Sequence, residues 1–481
     1  MSPSEDAYTA MMYDLDKRQD LIRRSVCDRL AEQEPVRSPD HIVATYFAHS
    51  RANSLKDVGE AISYHMTTAE HNPPPGTLLA ECTGEVLGVD AFDSHSRVGI
   101  VQVGFPTKMM RYEDGKVYTT DVLHLTAGEG VFGLVDHADI QLVNLDFPDD
   151  VLATFPGPAY GPEGIRRAAN WPDGAPMFGT ILKPTSGITP KEVGDLVRGV
   201  AGNALFGFAK EDENLVPGAT FCPLAERAAE AAAAIREQAD KRGGSGPEGS
   251  PGRGLFFAPH ITAPPSLMLD YLAAVLDAGL NSVMFSDQFV GGALRMVREA
   301  TMHLPSPPAI YAHNGGISVK TRQIWREVLD LLVRLDGADF RQTAPVSTKA
   351  SLLRPYGQEW LNCEAALTRP LGQIKPVMIS RAGGLDQGNI ILNLRDAKER
   401  GFGDGVLFLA GSAINSVKDG SGKASAELGS QAMMEALEAY ETGAVTGEDT
   451  QSHVGELYAY ALTEGKTALE AALTQRYPSI S

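Results

Sequence analysis

The sequence predicts an α/β protein, with a C-terminal (β/α)8 barrel preceded by an α+β domain built on an open, mainly antiparallel sheet. Two observations carry this prediction. After Phe155-Pro-Gly-Pro158, short apolar runs alternate with longer helical patterns, and the runs end in polar or small residues. Before it, from about residue 40 to 148, strand-like and helical runs are mixed instead. Buried parallel strands read as continuous apolar runs, and in a barrel the chemistry collects where strands end and βα loops begin.

Residues 1–38 are charged and predict a helical N-terminal extension, helical over about 7–34. In the α+β domain, 39–155, the patterns predict a strand at 42–47 and a helix at 55–70. Further strands are predicted at 77–81, 98–105, 117–125 and 140–145, with helices covering the sheet. The barrel occupies 156–443, with strands at 178–182, 204–209, 255–261, 282–286, 309–313, 338–342, 376–380 and 406–409. Helices are predicted at 191–200, 224–241, 267–280, 294–303, 320–335, 352–367, 388–400 and 424–441. Residues 444–481 read as a helical C-terminal segment, and the glycine-rich stretch 243–254 as a flexible surface insertion rather than a phosphate loop.

At 481 residues the chain predicts two or three domains, and 43% hydrophobic residues suffice for a substantial core. Lys plus Arg number 42 against 61 Asp plus Glu, a net charge of −19. That balance argues against nucleic acid or an anionic membrane as main partner, so a phosphate ligand needs a local site. The four cysteines have neither metal-ligand spacing nor disulfide density, and read as reduced thiols of a cytoplasmic protein. No basic-then-apolar leader pattern stands at the start, and no run approaches the ~18 apolar residues of a membrane span; a soluble protein is expected.

The run Lys210-Glu211-Asp212-Glu213-Asn214 closes the second barrel strand. Strand alternation points Lys210 and Asp212 the same way, with Glu213 at the turn beyond. Two carboxylates and an amine can bind a hard cation such as Mg²⁺, provided the lysine loses its positive charge, for instance as a CO₂-derived carbamate. In isolation the run also describes a solvated charged turn. Lys183 ends the first barrel strand, and Pro184 after it holds an extended conformation. Alone it reads as a surface lysine; beside Lys210 it becomes a candidate acid or base. Ala382-Gly383-Gly384 and Ala410-Gly411-Ser412, after the last two strands, offer backbone amides to a phosphate or form ordinary tight turns. Arg381 supplies either a compensating cation or a structural ion pair. His260 and Asp287, also at strand ends, have structural or substrate-contacting roles.

The order of these motifs resembles the RuBisCO large-chain superfamily over about residues 40–443. Phe-Pro-Gly-Pro and Gly179-Thr-Ile-Leu-Lys183-Pro are followed by Lys-Glu-Asp-Glu-Asn and then by His313 at the end of strand five. The resemblance implies that Lys210 is the carbamylated ligand, that Asp212 and Glu213 complete the Mg²⁺ site, and that Lys183 and His313 are catalytic. It also implies a mobile-loop lysine at Lys349, and at Glu81 an N-domain acid contributed to the partner's site in a homodimer, where one subunit's N-domain closes the other's barrel.

The departures point away from carbon fixation. Asn314 stands where carboxylases have an arginine, and Gln342 where they have a histidine, both of which grip the second phosphate of a bisphosphate. Gly130, Glu85-Val86 and Thr185 also replace family residues. Each lost charge-assisted bond removes ~1.5–3 kcal/mol. The chain therefore resembles a RuBisCO-like protein that enolises a phosphorylated ketose or oxo acid with Mg²⁺, as an isomerase or tautomerase, in methylthio-sugar salvage for example. The alternatives are a decarboxylase acting on a 3-oxo sugar-acid phosphate, and a catalytically silent binding or scaffold protein.

Overall fold

The computed structural model describes residues 5–32, 35–133, 135, 138–242, 254–346 and 357–479. They form two compact units: Met1–Pro156 with Ile317–Leu335 and Pro355–Ile374, and Gly157–Gly316 with Asp336–Arg354 and Lys375–Ser481. Lys349 and the glycine-rich stretch 243–253 lie outside the described residues. Among the described residues no helix is long and apolar enough to cross a membrane.

In the first unit, β1 (His41–Ser50), β2 (Glu85–Ala91), β3 (Val98–Pro106) and β4 (Ala138–Asp146) form one antiparallel sheet in the order β2-β3-β1-β4. Central β1 is buried along nearly its whole length, so both its faces are covered. The N-terminal helix, Glu5–Glu32, sets Arg23 over Trp325 at 4.4 Å and against Glu327 at 3.3 Å.

Two sequence expectations are corrected in this unit, and one strand was not expected. Residues 77–81 form no strand: Leu78–Glu81 is a helical turn whose N-cap, Thr77 Oγ1, accepts the Ala80 amide at 3.2 Å. Residues 117–125 are also helical, as Thr119–Thr126. Its buried residues, Thr119, Val122 and Thr126, recur at helix spacing rather than in alternation. Strand β2 went unpredicted because it is an edge strand with a register shift between Val86 and Gly88.

The helix predicted at 320–335 divides into Ile317–Lys320 and Arg326–Leu335. Between the pieces, Leu142 donates to the Gln323 carbonyl and Trp325 to the Leu142 carbonyl, both at 2.8 Å. This strand-like addition to β4 makes the segment part of the first unit.

The second unit holds eight parallel strands: β5 (Met177–Ile181), β6 (Phe206–Lys210), β7 (Phe256–Ala258), β8 (Ser282–Ser286), β9 (Ala309–His313), β10 (Phe340–Thr343), β11 (Met378–Ala382) and β12 (Val406–Ala410). The sheet runs β7-β6-β5-β12-β11-β10-β9-β8. Its seam, β7 to β8, is closed by a bridge in which Ile261 donates to Met284 O at 3.0 Å and Met284 to Pro259 O at 2.8 Å. Inward residues such as Phe208, Ala258, Tyr311 and Phe340 fill the barrel, with Phe208 and Phe340 ring centroids 4.7 Å apart. The interior is thus a packed core rather than a pore.

Candidate active site

Alternation along β6 decides the fate of each charged residue in the Lys210–Glu213 run. Phe208 faces the barrel interior, so Lys210 does too. Its side chain is fully buried. Nζ donates to the Glu211 carbonyl at 3.1 Å, lies 3.4 Å from Met284 Sδ and sits 5.3 Å from the Tyr311 ring centroid. Burial pulls its pKa down to about 8; Lys183 adds to this, while Asp212 and Glu213 oppose it.

Glu211 points the other way. It is buried against Arg227, with Nε to Oε1 at 2.8 Å and Nη2 to Oε2 at 3.1 Å, and accepts the His260 amide at 2.9 Å. Its role is to fasten β6, β7 and the helix Leu224–Glu237 together.

Asp212 receives the Lys183 ammonium in a direct ion pair. Burial works against its carboxylate, but Lys210 and Lys183 together hold it below the usual range. Glu213 lies 3.3 Å from His313 Nδ1, and it is the protonated ring that holds its carboxylate low. The same Nδ1 accepts the Gly315 amide at 3.0 Å. Burial, assisted by Lys210, lowers the His313 pKa and favours the neutral ring, with its lone pair on Nδ1 and its proton on Nε2. Protonating the ring exchanges the amide bond for an ion pair with Glu213.

Gly315 matters for a second reason: a Cβ there would overlap Oε2 of Glu213. Gly315→Ala is therefore expected to push the Glu213 carboxylate away from His313.

Lys183 passes over Gly411, where an added Cβ would come within 3.3 Å of Lys183 Cε. Asn415 holds this corner by donating at 2.9 Å each to Thr180 Oγ1, Ile181 O and Gly411 O. The Ala410 carbonyl accepts from Thr180 Oγ1 at 2.9 Å. Gly383 and Gly384 have φ of 100° and 88°, a conformation that glycine adopts readily, and Asn389 ties the Gly384 carbonyl at 2.8 Å.

Of the two roles open to Arg381, the structure shows the ion pair. Alternation along β11 turns it outward, where Nη2 pairs with Asp396 at 2.6 Å and Nη1 donates to Asn393 O at 3.1 Å. It braces the helix Ile390–Glu399 and is committed to that role rather than to a phosphate.

Asn314 and Gln342 are joined: Gln342 Nε2 donates to Asn314 Oδ1 at 2.8 Å, and Tyr311 Oη donates to Gln342 Oε1 at 3.1 Å. Tyr311 was missed, although its place two residues before His313 marks an inward position. Arg341, fully buried, is held by Asp287 at 2.7 Å and the His313 carbonyl at 3.2 Å, which gives Asp287 a structural partner. Glu81, in the first unit, is half-exposed and paired with Lys108.

Among the described residues no group of three or more His, Cys, Asp and Glu side chains could hold a metal. The donors that the sequence resemblance implies are Asp212, Glu213 and Lys210. Lys210 fits the carbamate requirement in one respect: it is buried and, among the described residues, has no carboxylate within ion-pair distance, so its amine form is accessible near neutral pH. A cavity of about 960 Å³ elsewhere, between the helices Pro190–Ala201 and Ala426–Glu441, is lined by none of the candidate catalytic or metal-binding residues.

No family model matches the chain. It is 28% identical over 282 residues to a 3-oxo-isoapionate-4-phosphate decarboxylase from Rhizobium rhizogenes, a match covering 56% of this chain and 63% of the relative. Its fold matches that of an octameric RuBisCO from Pyrococcus horikoshii, with TM-score 0.75 and 21% identity over 93% of this chain and 97% of the other. A RuBisCO-like protein (MtnW) from Alicyclobacillus acidocaldarius gives TM-score 0.70 and 21% identity, over 91% and 99%. The α+β sheet unit and the eight-stranded barrel are the fold of these RuBisCO structures, and the motif order is similar to that of the RuBisCO large-chain superfamily. Its relatives and structural neighbours include RuBisCO-like proteins, to which the chain is similar.

Proposed function

We propose that this protein is a Mg²⁺-dependent enzyme that forms an enolate from a 3-oxo sugar-acid phosphate by releasing CO₂. The observation that carries the reading is the convergence of Lys183, Lys210, Asp212, Glu213 and His313 at the ends of β5, β6 and β9. Mg²⁺ held by Asp212, Glu213 and a Lys210 carbamate would polarise the substrate carbonyl and stabilise enolate charge. Lys183 carries an ammonium beside Asp212, placed to hold an anionic substrate oxygen or return a proton. His313 offers a donor at Nε2 while Gly315 fixes its ring.

The Asn314–Gln342–Tyr311 chain brings no charge to the rim at β9 and β10, which supports a substrate with one phosphate rather than two. The glycines after β11 and β12 are the proposed phosphate position. The decarboxylase among its relatives supports loss of CO₂ over proton abstraction. The isomerase or tautomerase reading uses the same enolate, reached by breaking a C–H bond. Incubating the holoenzyme with 3-oxo-isoapionate 4-phosphate separates the two. CO₂ release supports decarboxylation. Deuterium exchange at the α carbon without CO₂ replaces it with isomerisation, and neither event leaves the silent scaffold. We further propose a homodimer as the active form, with Glu81 serving the partner's site; light scattering and subunit-mixing assays test this.

The lowered Lys210 pKa predicts a pH dependence. CO₂ reacts with the neutral amine, whose fraction grows as pH rises through about 8. At fixed dissolved CO₂, activation by CO₂ and Mg²⁺ is expected to climb between pH ~7 and ~9. A normal lysine would still be climbing above pH ~10.

A further inference from the structure

Two buried polar side-chain atoms on the inner rim have no hydrogen-bond partner among the described residues: His260 Nε2 and Ser286 Oγ. Phe256 and Ala258 of β7 face the barrel interior, so the two-residue period carries His260 onto the same face. Ala258 pairs in register with Lys210, which sets His260 one inward position above that lysine. Ser286 lies two residues beyond inward Met284 and pairs in register with His313. Both residues therefore belong to the rim that bears the candidate chemistry.

The His260 ring is held in one orientation and one tautomer. Its backbone N–H is tied to Glu211 at 2.9 Å, and Nδ1 lies 3.2 Å from the Leu215 carbonyl. A carbonyl only accepts, so Nδ1 carries the proton and Nε2 presents a bare lone pair. The residue is 3% exposed, and burial, with His313 and Lys210 nearby, keeps the ring neutral. Ser286 is 2% exposed, and its backbone N–H donates to Thr262 Oγ1 at 2.8 Å, which fixes the residue but leaves its hydroxyl unused.

Buried polar atoms are nearly always paired, so two orphans on one rim mark a place where a ligand supplies the partners. The pair is complementary to an alcohol: the ligand O–H donates to a lone pair, and its oxygen accepts from a hydroxyl. A leucine and an alanine would seal the rim equally well if the site met only apolar carbon.

We propose that His260 Nε2 and Ser286 Oγ form a subsite for a substrate hydroxyl, selecting a hydroxylated carbon chain over a deoxygenated one. This rests on the reading of the barrel rim as a sugar-acid phosphate site, and it narrows the substrate class within that reading.

The test uses two probes, 4-phospho-D-erythronate and its dideoxy counterpart 4-phosphooxybutanoate. Each is titrated calorimetrically into the full chain with Mg²⁺ and bicarbonate. The wild type is expected to favour the hydroxylated probe roughly tenfold. His260→Leu and Ser286→Ala are each expected to weaken that probe roughly 5- to 10-fold while leaving the dideoxy probe within about twofold. His260→Gln, which keeps an acceptor, recovers part of the loss. Thermal melts and Mn²⁺ binding by electron paramagnetic resonance should match the wild type in all three. Equal affinity of the wild type for the two probes overturns the subsite while sparing the sugar-phosphate reading, as do variants that weaken both probes alike. A wild type that binds neither probe overturns both.

Discussion

Lys210→Met is expected to abolish CO₂-dependent Mg²⁺ binding and to reduce turnover on the order of 10³-fold, the upper range for removing one preorganised electrostatic group. The same substitution should leave the fold as stable as the wild type, or slightly more so. Lys210 is fully buried, and its nearest groups are a carbonyl at 3.1 Å, the Met284 sulfur at 3.4 Å and the Tyr311 ring. None of these neutralises an ammonium. Removing a buried charge that lacks an ion-pair partner, and filling its place with a side chain of similar length, is neutral or favourable. Calorimetry would show an unchanged or raised melting temperature beside a flat Mg²⁺ titration. A destabilised variant that still takes up Mg²⁺ would make Lys210 a structural residue and sink the metal-site reading. A scaffold protein would bind its ligand equally well with methionine at this position.

How much of this was legible in the sequence follows from period and context. The barrel strands Ser282–Ser286 and Ala309–His313 were readable to the residue, because uninterrupted apolar runs end there in a polar group. In the smaller unit, β-branched residues misled: Val117 to Leu125 looks extended by composition, yet Thr119, Val122 and Thr126 share a helix face. The site divides along the same line. Local alternation placed Lys210 and Asp212, and a single proline located Lys183. Pairings distant in sequence were not readable, since nothing near Arg381 announces Asp396, and nothing near Glu211 announces Arg227. The amide chain from Tyr311 through Gln342 to Asn314 joins two strands and emerges only when they are laid side by side.

Glu211→Ala, one position along from Lys210, is expected to lower stability by about 3–5 kcal/mol, the range for stranding one half of a buried ion pair. Arg227 is fully buried with its partner. After the substitution its guanidinium retains only the Cys222 carbonyl at 2.5 Å and the Leu215 carbonyl at 3.5 Å, with no counter-charge. The His260 amide loses its acceptor at the same time. Urea denaturation should show a lower midpoint at unchanged slope, and activity at low temperature should persist in the fraction that remains folded. Adding Arg227→Met removes the stranded charge and should recover part of the loss. Recovery should stay incomplete, because the His260 amide and the Cys222 carbonyl are then without their partners. A loss below about 1 kcal/mol in Glu211→Ala would mean that water reaches Arg227 and that the pair is not the fastening it is read as. Neighbouring residues of one charged run would then no longer split into a chemical one facing the rim and a structural one facing the helices, and the alternation that assigns Lys210 its place would lose its support.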